Sequence, residues 1–374
     1  MGQMRLGDIA TYINGYAFKP EDRGTKGLPI IRIQDLTGNT YDLGFYNGKY
    51  PERIEINNGD VLISWSASLG IYVWDRGKAL LNQHIFKVVF DKCEINKQYF
   101  VYAVMHKLKE MESKTHGATM KHIVKTDFDN TLIPFPSLEN QAVIADILTK
   151  TSTIIEARQQ ELQKLDELVK ARFVEMFGDP QSNPFGYKKK AIRETCTVTT
   201  GNTPSRAFPE YYGDYIEWIK TDNIVSGILN PTTAAEYLSK KGLEVGRIAD
   251  TDSILMACIA GSIASIGRIC VTNRKVAFNQ QINAIVPRKY DTLFLYVLLL
   301  ISKEYLVKDI NMALKGILSK SKLEEKEFIV PPIEEQLAFS TSVKQIEKLK
   351  VAVQEALDET QLLFDSLMQQ YFGA

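Results

Sequence analysis

The sequence predicts an α+β protein in which two similar units alternate with two long helices that pair as an antiparallel coiled coil. Three observations support this fold: two helical stretches of about 40 residues, an apolar seam that both stretches share, and a repeat of the whole chain at a period near 195 residues. The predicted units comprise residues 1–137 and 179–332, and the helices comprise residues 138–178 and 333–374. Each unit is predicted to contain a mixed or antiparallel sheet with few helices.

Both long helices have clear start and stop signals. The stretches open after Pro136 and Pro332, each with glutamate in its first turn, and close on Phe177-Gly178 and Phe372-Gly373. Acidic residues favour a helix start because the first backbone N–H groups lack partners, and a following glycine can adopt the left-handed turn that ends a helix. No proline or glycine interrupts either stretch.

The two helices carry the same apolar seam. Steps of four and three residues from Ile144 reach seven apolar positions out of ten, and the same steps from Phe339 reach eight apolar or aromatic positions. Such spacing is typical of a coiled coil, with two ordinary long core helices as the alternative. If the second helix returns antiparallel to the first, the identical seams generate a pseudo-two-fold axis.

The two units are predicted to share one fold that has been duplicated. Short apolar and aromatic segments predict strands at residues 28–33, 60–65, 69–74 and 85–90 of the first unit, and at 215–220, 253–259, 266–271 and 282–286 of the second. Helical spacing predicts helices over residues 96–112 and 291–307. Asn82-Gln83 recurs as Asn279-Gln280, which indicates a duplicated domain rather than a short-period solenoid.

Composition restricts the possible partners. The chain has 45 basic and 45 acidic residues, so binding to nucleic acid would need local basic patches. The four cysteines lack CxxC or zinc spacing and are typical of reduced thiols, which favours a cytoplasmic protein. No signal peptide is predicted, and the longest apolar run, residues 293–301, is too short to span a membrane.

The sequence predicts no catalytic, cofactor or metal site. A DNA adenine methyltransferase needs a glycine-rich cofactor loop and an Asx-Pro-Pro-aromatic loop, and Asn183-Pro184-Phe185 lacks the second proline. No nucleotide-binding motif occurs, and the four histidines lack metal-ligand spacing. Glu324-Glu325-Lys326 contains the ExK of nucleases without a Pro-Asp partner.

Polar, basic and aromatic residues recur in matching loops of both units. Asn and Gln can pair with adenine, Arg or Lys with guanine, and Ser or Thr with bases or phosphates. Each loop alone is more typical of a solvated turn, but the repeated set favours DNA recognition. The candidates in the first unit are Tyr16, Lys19, Arg32, Gln34, Ser64, Ser66, Ser68, Asn82, Gln83, Lys121, His122 and Lys125. Those in the second are Thr203, Ser205, Arg206, Lys220, Asp222, Asn223, Ser262, Asn279, Gln280, Lys315, Ser319 and Lys320.

Two roles are expected within this set. Lysines in the last loop of each unit are expected to bind phosphate, namely Lys121, Lys125, Lys315 and Lys320. Side chains that follow predicted strands are candidates for reading bases, namely Gln34, Asn82, Gln83, Asp222, Asn279 and Gln280. The amides among them can equally brace loops through backbone hydrogen bonds.

Several motifs, in order along the chain, resemble the specificity subunits of type I restriction–modification systems. They are Gly201–Ser205, Trp218-Ile219-Lys220, the two Asn-Gln pairs and Pro331–Gln336, and the resemblance covers essentially the whole chain. The first unit departs from the pattern, because Tyr16-Ala17-Phe18 replaces Thr-Pro-Ser. The resemblance implies two target-recognition domains, each reading half of a split double-stranded DNA sequence. It also implies spacer helices that seat two modification subunits, after which restriction subunits join.

The resemblance further implies that the chain itself binds no cofactor and catalyses nothing. S-adenosylmethionine is expected on the modification (methyltransferase) subunits, and ATP-dependent cleavage on the restriction subunits. Two other functions stay open at this point. One is a self-contained DNA methyltransferase or nuclease, and the other is a coiled-coil scaffold that links two protein-binding domains.

Overall fold

A computed structural model describes residues 2–40, 42–114, 123–308, 310 and 316–373. The two long helices extend over Leu138–Phe177 and Ile333–Phe372, forty residues each, which agrees with the predicted starts and stops. The chain divides into two compact units, Met1–Ala157 with Ala356–Ala374, and Arg158–Glu355. Each unit therefore contains one α+β part, half of the first long helix and half of the second.

Two small sheets form the α+β part of the first unit. The antiparallel sheet has the order Thr11–Asn14, Ile85–Val89, Val61–Ser64 and Gly70–Val73. The second sheet has the order Phe45–Tyr46, Leu28–Ile31, Ala79–Leu81 and Glu55–Ile56. Gln3–Arg5 pairs with Leu132–Pro134. The α-helices are Leu6–Ile9, Ile33–Leu36, Lys97–Lys114 and Lys125–Asp129, and the 3-10 turns are Pro20–Asp22 and Glu52–Ile54.

The second unit repeats this topology. Its antiparallel sheet has the order Cys196–Thr200, Ile282–Pro287, Ile254–Ala257 and Ile269–Val271. Its other sheet has the order Tyr212–Gly213, Tyr237–Leu238, Ile216–Ile219, Val276–Phe278 and Ile248–Ala249. Two ladders join Lys189–Ala191 to Glu327–Ile329, and Ile259–Ala260 to Gly316–Ile317. The α-helices are Ile192–Thr195, Lys240–Val245, Thr292–Ile301, Lys303–Val307 and Lys320–Glu325, and the 3-10 turns are Pro209–Tyr211, Thr221–Asn223 and Ile263–Ser265.

Four predicted elements are shorter or interrupted. The strands predicted at residues 28–33 and 215–220 end at Ile31 and Ile219, because a turn that a side chain caps follows each of them. The backbone N–H of Arg32 donates to Asp35 Oδ2 at 2.8 Å, and that of Lys220 donates to Asn223 Oδ1 at 3.0 Å. The strand predicted at 266–271 begins only at residue 269, after a 3-10 turn. The helix predicted over 291–307 is interrupted at residue 302.

The long helices run antiparallel, as their contacts within each unit show. In the first unit, Ile144 and Leu148 near the start of the first helix share a core with Met368 and Phe372 at the end of the second. In the second unit, the end of the first helix shares a core with the start of the second, through Phe173, Phe177, Phe339 and Val343. These residues lie on or beside the predicted seam, so the coiled-coil prediction is confirmed.

A buried glutamine fastens the start of each long helix to its α+β part. Gln141 Oε1 accepts the backbone N–H of Asn96 at 2.9 Å, and Gln336 Oε1 accepts that of Asp291 at 2.9 Å. Each glutamine also donates through Nε2 to a proline carbonyl in the segment before its helix. Both side chains are buried, and each amide bonds two backbone groups, so the pair fixes the direction in which each helix leaves its domain.

Candidate nucleic-acid interface

The candidate residues meet where two parallel strands end in each unit. Leu28–Ile31 pairs in parallel with Ala79–Leu81, and Ile216–Ile219 pairs in parallel with Val276–Phe278. The carboxyl ends of parallel strands lie at the same edge of a sheet, which is a frequent position for ligand-binding loops. This edge brings together Arg32, Gln34, Asn82 and Gln83 in the first unit, and Lys220, Asp222, Asn279 and Gln280 in the second.

A third segment approaches each edge through a glycine. A Cβ atom on Gly15 would lie 2.0 Å from the carbonyl oxygen of Asn82, and one on Gly201 would lie 2.1 Å from that of Asn279. Any side chain at either position would therefore displace the backbone. The close approach places the loop that follows against the strand ends, with Tyr16 bridged to Asn82 in the first unit. In the second unit, Thr203 Oγ1 donates to Gln280 Oε1.

The serine loops and the final loop of each unit join the same edge through backbone hydrogen bonds. The N–H of Trp65 donates to His84 at 3.3 Å, and the N–H of Ile123 donates to Trp65 at 3.0 Å. The N–H of Cys258 donates to Gln281 at 2.8 Å, and the N–H of Leu318 donates to Cys258 at 2.9 Å. The predicted residues next to these connections are Ser66, Ser68 and Lys125 in the first unit, and Ser262, Ser319 and Lys320 in the second.

A cation–aromatic cluster occupies the edge in the second unit. The Arg206 guanidinium lies 4.1 Å from the ring centre of Tyr212, and Lys220 Nζ lies 5.1 Å from that of Trp218. Glu236 accepts a hydrogen bond from each cation, at 2.5 Å in both cases. The hydrogen bond from Lys220, and then that from Arg206, hold the pKa of Glu236 below its ordinary value, so the carboxylate stays ionised.

The same edge in the first unit carries aromatic side chains and two buried polar atoms without hydrogen-bond partners among the described residues. Tyr16 is 44% exposed and packs edge-on against Phe18, with ring centres 5.0 Å apart. Trp65 packs edge-on against His84 at 4.9 Å. Among the described residues, Asn82 Oδ1 and His84 Nδ1 are buried without a hydrogen-bond partner, and His84 has a φ of +71°. Strained backbone and unsatisfied polar atoms are more frequent at functional sites than elsewhere.

Three predicted residues face the interior. Ser64 is fully buried and donates to the Ser68 carbonyl at 2.6 Å. Asn223 donates to the Thr233 carbonyl at 3.1 Å. Asn279 Oδ1 accepts the N–H of Gln281 at 3.1 Å. In these positions the three side chains brace loops, which is the alternative role of such residues.

The remaining predicted residues differ in their partners. Lys19 lies 4.0 Å from Glu21, Lys125 lies 2.6 Å from Asp129, and Lys320 lies 3.6 Å from Glu324. These lysines are exposed, as is Ser205. Ser319 caps the helix that follows it. Lys121, His122 and Lys315 lie outside the described residues. Contact with DNA stays a prediction for the whole set.

Sequence reasoning missed the residues that organise the second edge. Glu236 joins two cations that are 14 positions apart in the chain, yet it lies in an unremarkable Ala-Ala-Glu-Tyr segment. Trp218 was visible as part of the Trp-Ile-Lys segment, and its indole N–H donates to the Asn202 carbonyl at 3.3 Å. Only the fold brings these segments together, because residues 202, 218 and 236 come from three different parts of the unit.

The described part of the chain contains no metal-binding cluster, no helix that could span a membrane and no disulfide. Within it, no group of three or more His, Cys, Asp or Glu side chains could hold a metal ion, and no helix combines the length and apolarity needed to cross a bilayer. All four cysteines are free thiols. Burial raises the pKa of Cys196 to about 11 and those of Cys258 and Cys270 to about 12, so these thiols are poor nucleophiles.

Comparison with known proteins gives a consistent result. The family described as the type I restriction modification DNA specificity domain matches residues 1–167 and 184–360. The specificity subunit of the type I restriction enzyme EcoBI from Escherichia coli is 23% identical, over 99% of this chain and 85% of that subunit. The MjaVIII specificity subunit from Methanocaldococcus jannaschii is also 23% identical, over 80% of this chain and 74% of that subunit.

Two solved structures have a similar fold. One is the S subunit of a type I restriction–modification system from M. genitalium, which is 14% identical with a TM-score of 0.60 over 99% of this chain and 96% of that one. The other comes from a study of complex assembly and conformational transition of the type I R-M system. It is 18% identical with a TM-score of 0.56 over 99% of this chain and 97% of that one.

Proposed function

This chain belongs to the type I restriction–modification DNA specificity family, and we propose that its two units read the two halves of one bipartite DNA target. It is the DNA-recognition subunit of a restriction–modification complex. The duplicated strand-end edge is the observation that carries the proposal. In both units a loop, two strand ends and the described part of the final loop come together on a similar backbone, while the side chains at the edge differ. Two similar backbones that carry different side chains can recognise two different half-sequences.

Local patches supply the attraction for DNA. The net charge is zero, so the exposed lysines beside each edge carry the electrostatic part of binding. Lys125 and Lys320 each have a carboxylate neighbour on their own helix. Exposed pairs of this kind are weak, so phosphate can compete for the lysine. Lys121 and Lys315 are expected to add to the same function.

Repeated apolar positions on the long helices support docking of two copies of one partner. Large side chains between 41% and 56% exposed recur at equivalent positions of the two units, so each unit offers the same apolar contacts to a partner. They are Leu138, Ile154 and Leu363 in the first unit, and Ile333, Leu349 and Leu168 in the second. We assign these positions to two modification subunits, with restriction subunits joining afterwards.

The methyl-transfer chemistry belongs to those partners in this proposal. S-adenosylmethionine binds the modification subunit, and the specificity chain contributes recognition alone. Rigorously partner-free chain is therefore expected to transfer no methyl group to DNA and to cleave none. Detectable transfer by such a preparation would instead favour a self-contained methyltransferase.

Selection from random-sequence DNA tests the proposal. The chain is assembled with the modification subunit of its own system, and the bound DNA is sequenced over several rounds. We expect enrichment of two short sequences separated by a spacer of fixed length and free composition. Absence of any enriched sequence, or one continuous sequence, would contradict recognition by two units. The third function considered, a scaffold for other proteins, predicts no enrichment at all.

A further inference from the structure

We propose that Arg206 reads a guanine within the half-sequence of the second unit, with Glu236 and Trp218 as its positioning residues. The inference rests on the proposed function and names one contact within it. Arg206 is the outermost cation of the cluster, with a side chain 58% exposed, whereas Lys220 lies further inside at 31%.

The guanidinium is held by two aromatic neighbours and one carboxylate. Its central carbon lies 4.1 Å from the ring centre of Tyr212 and 5.5 Å from that of Trp218. Nη2 donates to Glu236 Oε2 at 2.5 Å. The two neighbouring rings and the carboxylate at Nη2 restrict the side chain before it binds, so less rotamer freedom is lost on binding.

The rest of the guanidinium is available to a ligand. In the part of the chain that the structure describes, hydrogen bonds of the Arg206 side chain involve Nη2 alone. The remaining donors form a planar fork, and such a fork matches the O6 and N7 acceptors that guanine presents in the major groove. A phosphate can accept hydrogen bonds from the same fork, so a guanine contact is identified by a preference for one base pair and not by affinity alone.

The loop that carries Arg206 is itself anchored to the strand-end edge. The Tyr212 hydroxyl donates to the Pro204 carbonyl at 2.6 Å, and Asn202 Oδ1 accepts the N–H of Arg247 at 2.8 Å. Lys220 bonds the other oxygen of the same carboxylate, because its Nζ donates to Glu236 Oε1 at 2.5 Å. Two cations share one carboxylate, so the cluster keeps a net positive charge toward DNA.

The first unit has no equivalent cluster among its described residues. Lys19 occupies the corresponding loop and lies 4.0 Å from Glu21, with both side chains well exposed. Arg32 occupies the position equivalent to Lys220, and its side chain is tied to Asp35 and to the Asp42 carbonyl. A guanine contact of this type is therefore expected in one half-sequence, which assigns that half to the second unit.

The experiment is DNA selection with variants of the complete complex. We expect Arg206→Ala to lower the preference for one G·C pair by about 10- to 100-fold while the other half-sequence keeps its preference. Arg206→Lys keeps the charge but lacks the rigid planar fork, so it should reduce the same preference, by less than Arg206→Ala does, because lysine can also donate to guanine. Glu236→Gln should reduce the preference for the same base pair to a smaller extent, because it weakens the hold on the guanidinium without removing the guanidinium.

Two matched variants separate base reading from phosphate binding. Lys241→Ala removes an exposed lysine paired with Glu210 in the same unit and should leave every preference unchanged. Lys320→Ala should weaken all sequences about equally and reduce the salt slope by about one. If Arg206→Ala fails to assemble, Arg206→Lys decides the question.

The outcomes distinguish the two proposals. Uniform weakening of all sequences by both Arg206 variants, with the G·C preference intact, would overturn the guanine contact while leaving bipartite recognition in place. Loss of a base preference in the half-sequence that the first unit reads would overturn the guanine contact as well. Failure of the unmodified complex to select any sequence would instead overturn the proposed function, and the guanine contact with it.

Discussion

The two units build the same junction between a domain and the long helices from different residues. In the second unit, four phenylalanines pack together, namely Phe173, Phe177, Phe294 and Phe339. The equivalent positions of the first unit hold Met368, Phe372, Tyr99 and Ile144, which also share one core. The repeat therefore preserves the volume and the position of this core rather than the identity of its side chains.

One hydrogen bond is likewise kept, although the position of its donor differs between the units. The Tyr99 hydroxyl donates to the Pro134 carbonyl at 2.8 Å, and the Tyr290 hydroxyl donates to the equivalent Ile329 carbonyl at 3.1 Å. The two tyrosines do not occupy equivalent positions, yet both satisfy the strand that precedes the long helix. By contrast, Gln141 and Gln336 are equivalent in position, partners and burial. What is kept is the bonding of each helix to its domain, while the edge that faces a ligand is free to vary.

The largest effect is expected from the aromatic junction. Phe294→Ala removes a fully buried ring that contacts Phe173 and Phe177, so it should lower the free energy of unfolding of the second unit by about 3–5 kcal/mol. Tyr99→Phe in the first unit keeps the ring and loses one hydrogen bond, at a cost of about 1 kcal/mol. Denaturant unfolding followed by hydrogen exchange in each unit measures both. Similar losses from the two variants would show that the junction is not the core of the second unit.

A smaller and equal effect is expected from the two buried glutamines. Gln141→Ala and Gln336→Ala each leave a backbone N–H without its partner and should each cost about 1–3 kcal/mol. Gln163→Ala, on the exposed face of the first long helix, is the matched control and should cost nearly nothing. The same unfolding measurement applies. Unequal losses of unfolding free energy in the two glutamine variants would show that the two helix starts are not equivalent.

The smallest effect distinguishes the units by pH. Burial lowers the pKa of His106 in the first unit, while the equivalent position of the second unit is Ile301. The unfolded chain binds this proton near pH 6.5 and the folded chain only at lower pH, so the histidine's contribution makes the first unit less stable as pH falls below about 6.5. His106→Ile should reduce the difference in melting temperature of that unit between pH 7.5 and 5.5. An unchanged difference would exclude His106 as its source.

Much of the frame could be predicted from the sequence because it depends on periodic signals. The long helices begin and end within two residues of the predicted limits, and the duplicated strands follow apolar segments. Ser64 shows where such signals fail, since it opens a polar Ser-Trp-Ser-Ala-Ser segment and yet is the last residue of a strand buried throughout. The Arg206–Glu236 pair also lay beyond prediction, because a contact across 30 positions depends on how three segments fold together.

The central claim is that each unit reads one half-sequence on its own frame, and exchange of a unit tests it most directly. Residues 179–332 are replaced by a second copy of residues 1–137, and the target of the variant is selected from random DNA in complex with the modification subunit. Because the helices run antiparallel, we predict a target made of the first half-sequence twice, as an inverted repeat around an unread spacer. Persistence of the original second half-sequence in an assembled complex would contradict the account.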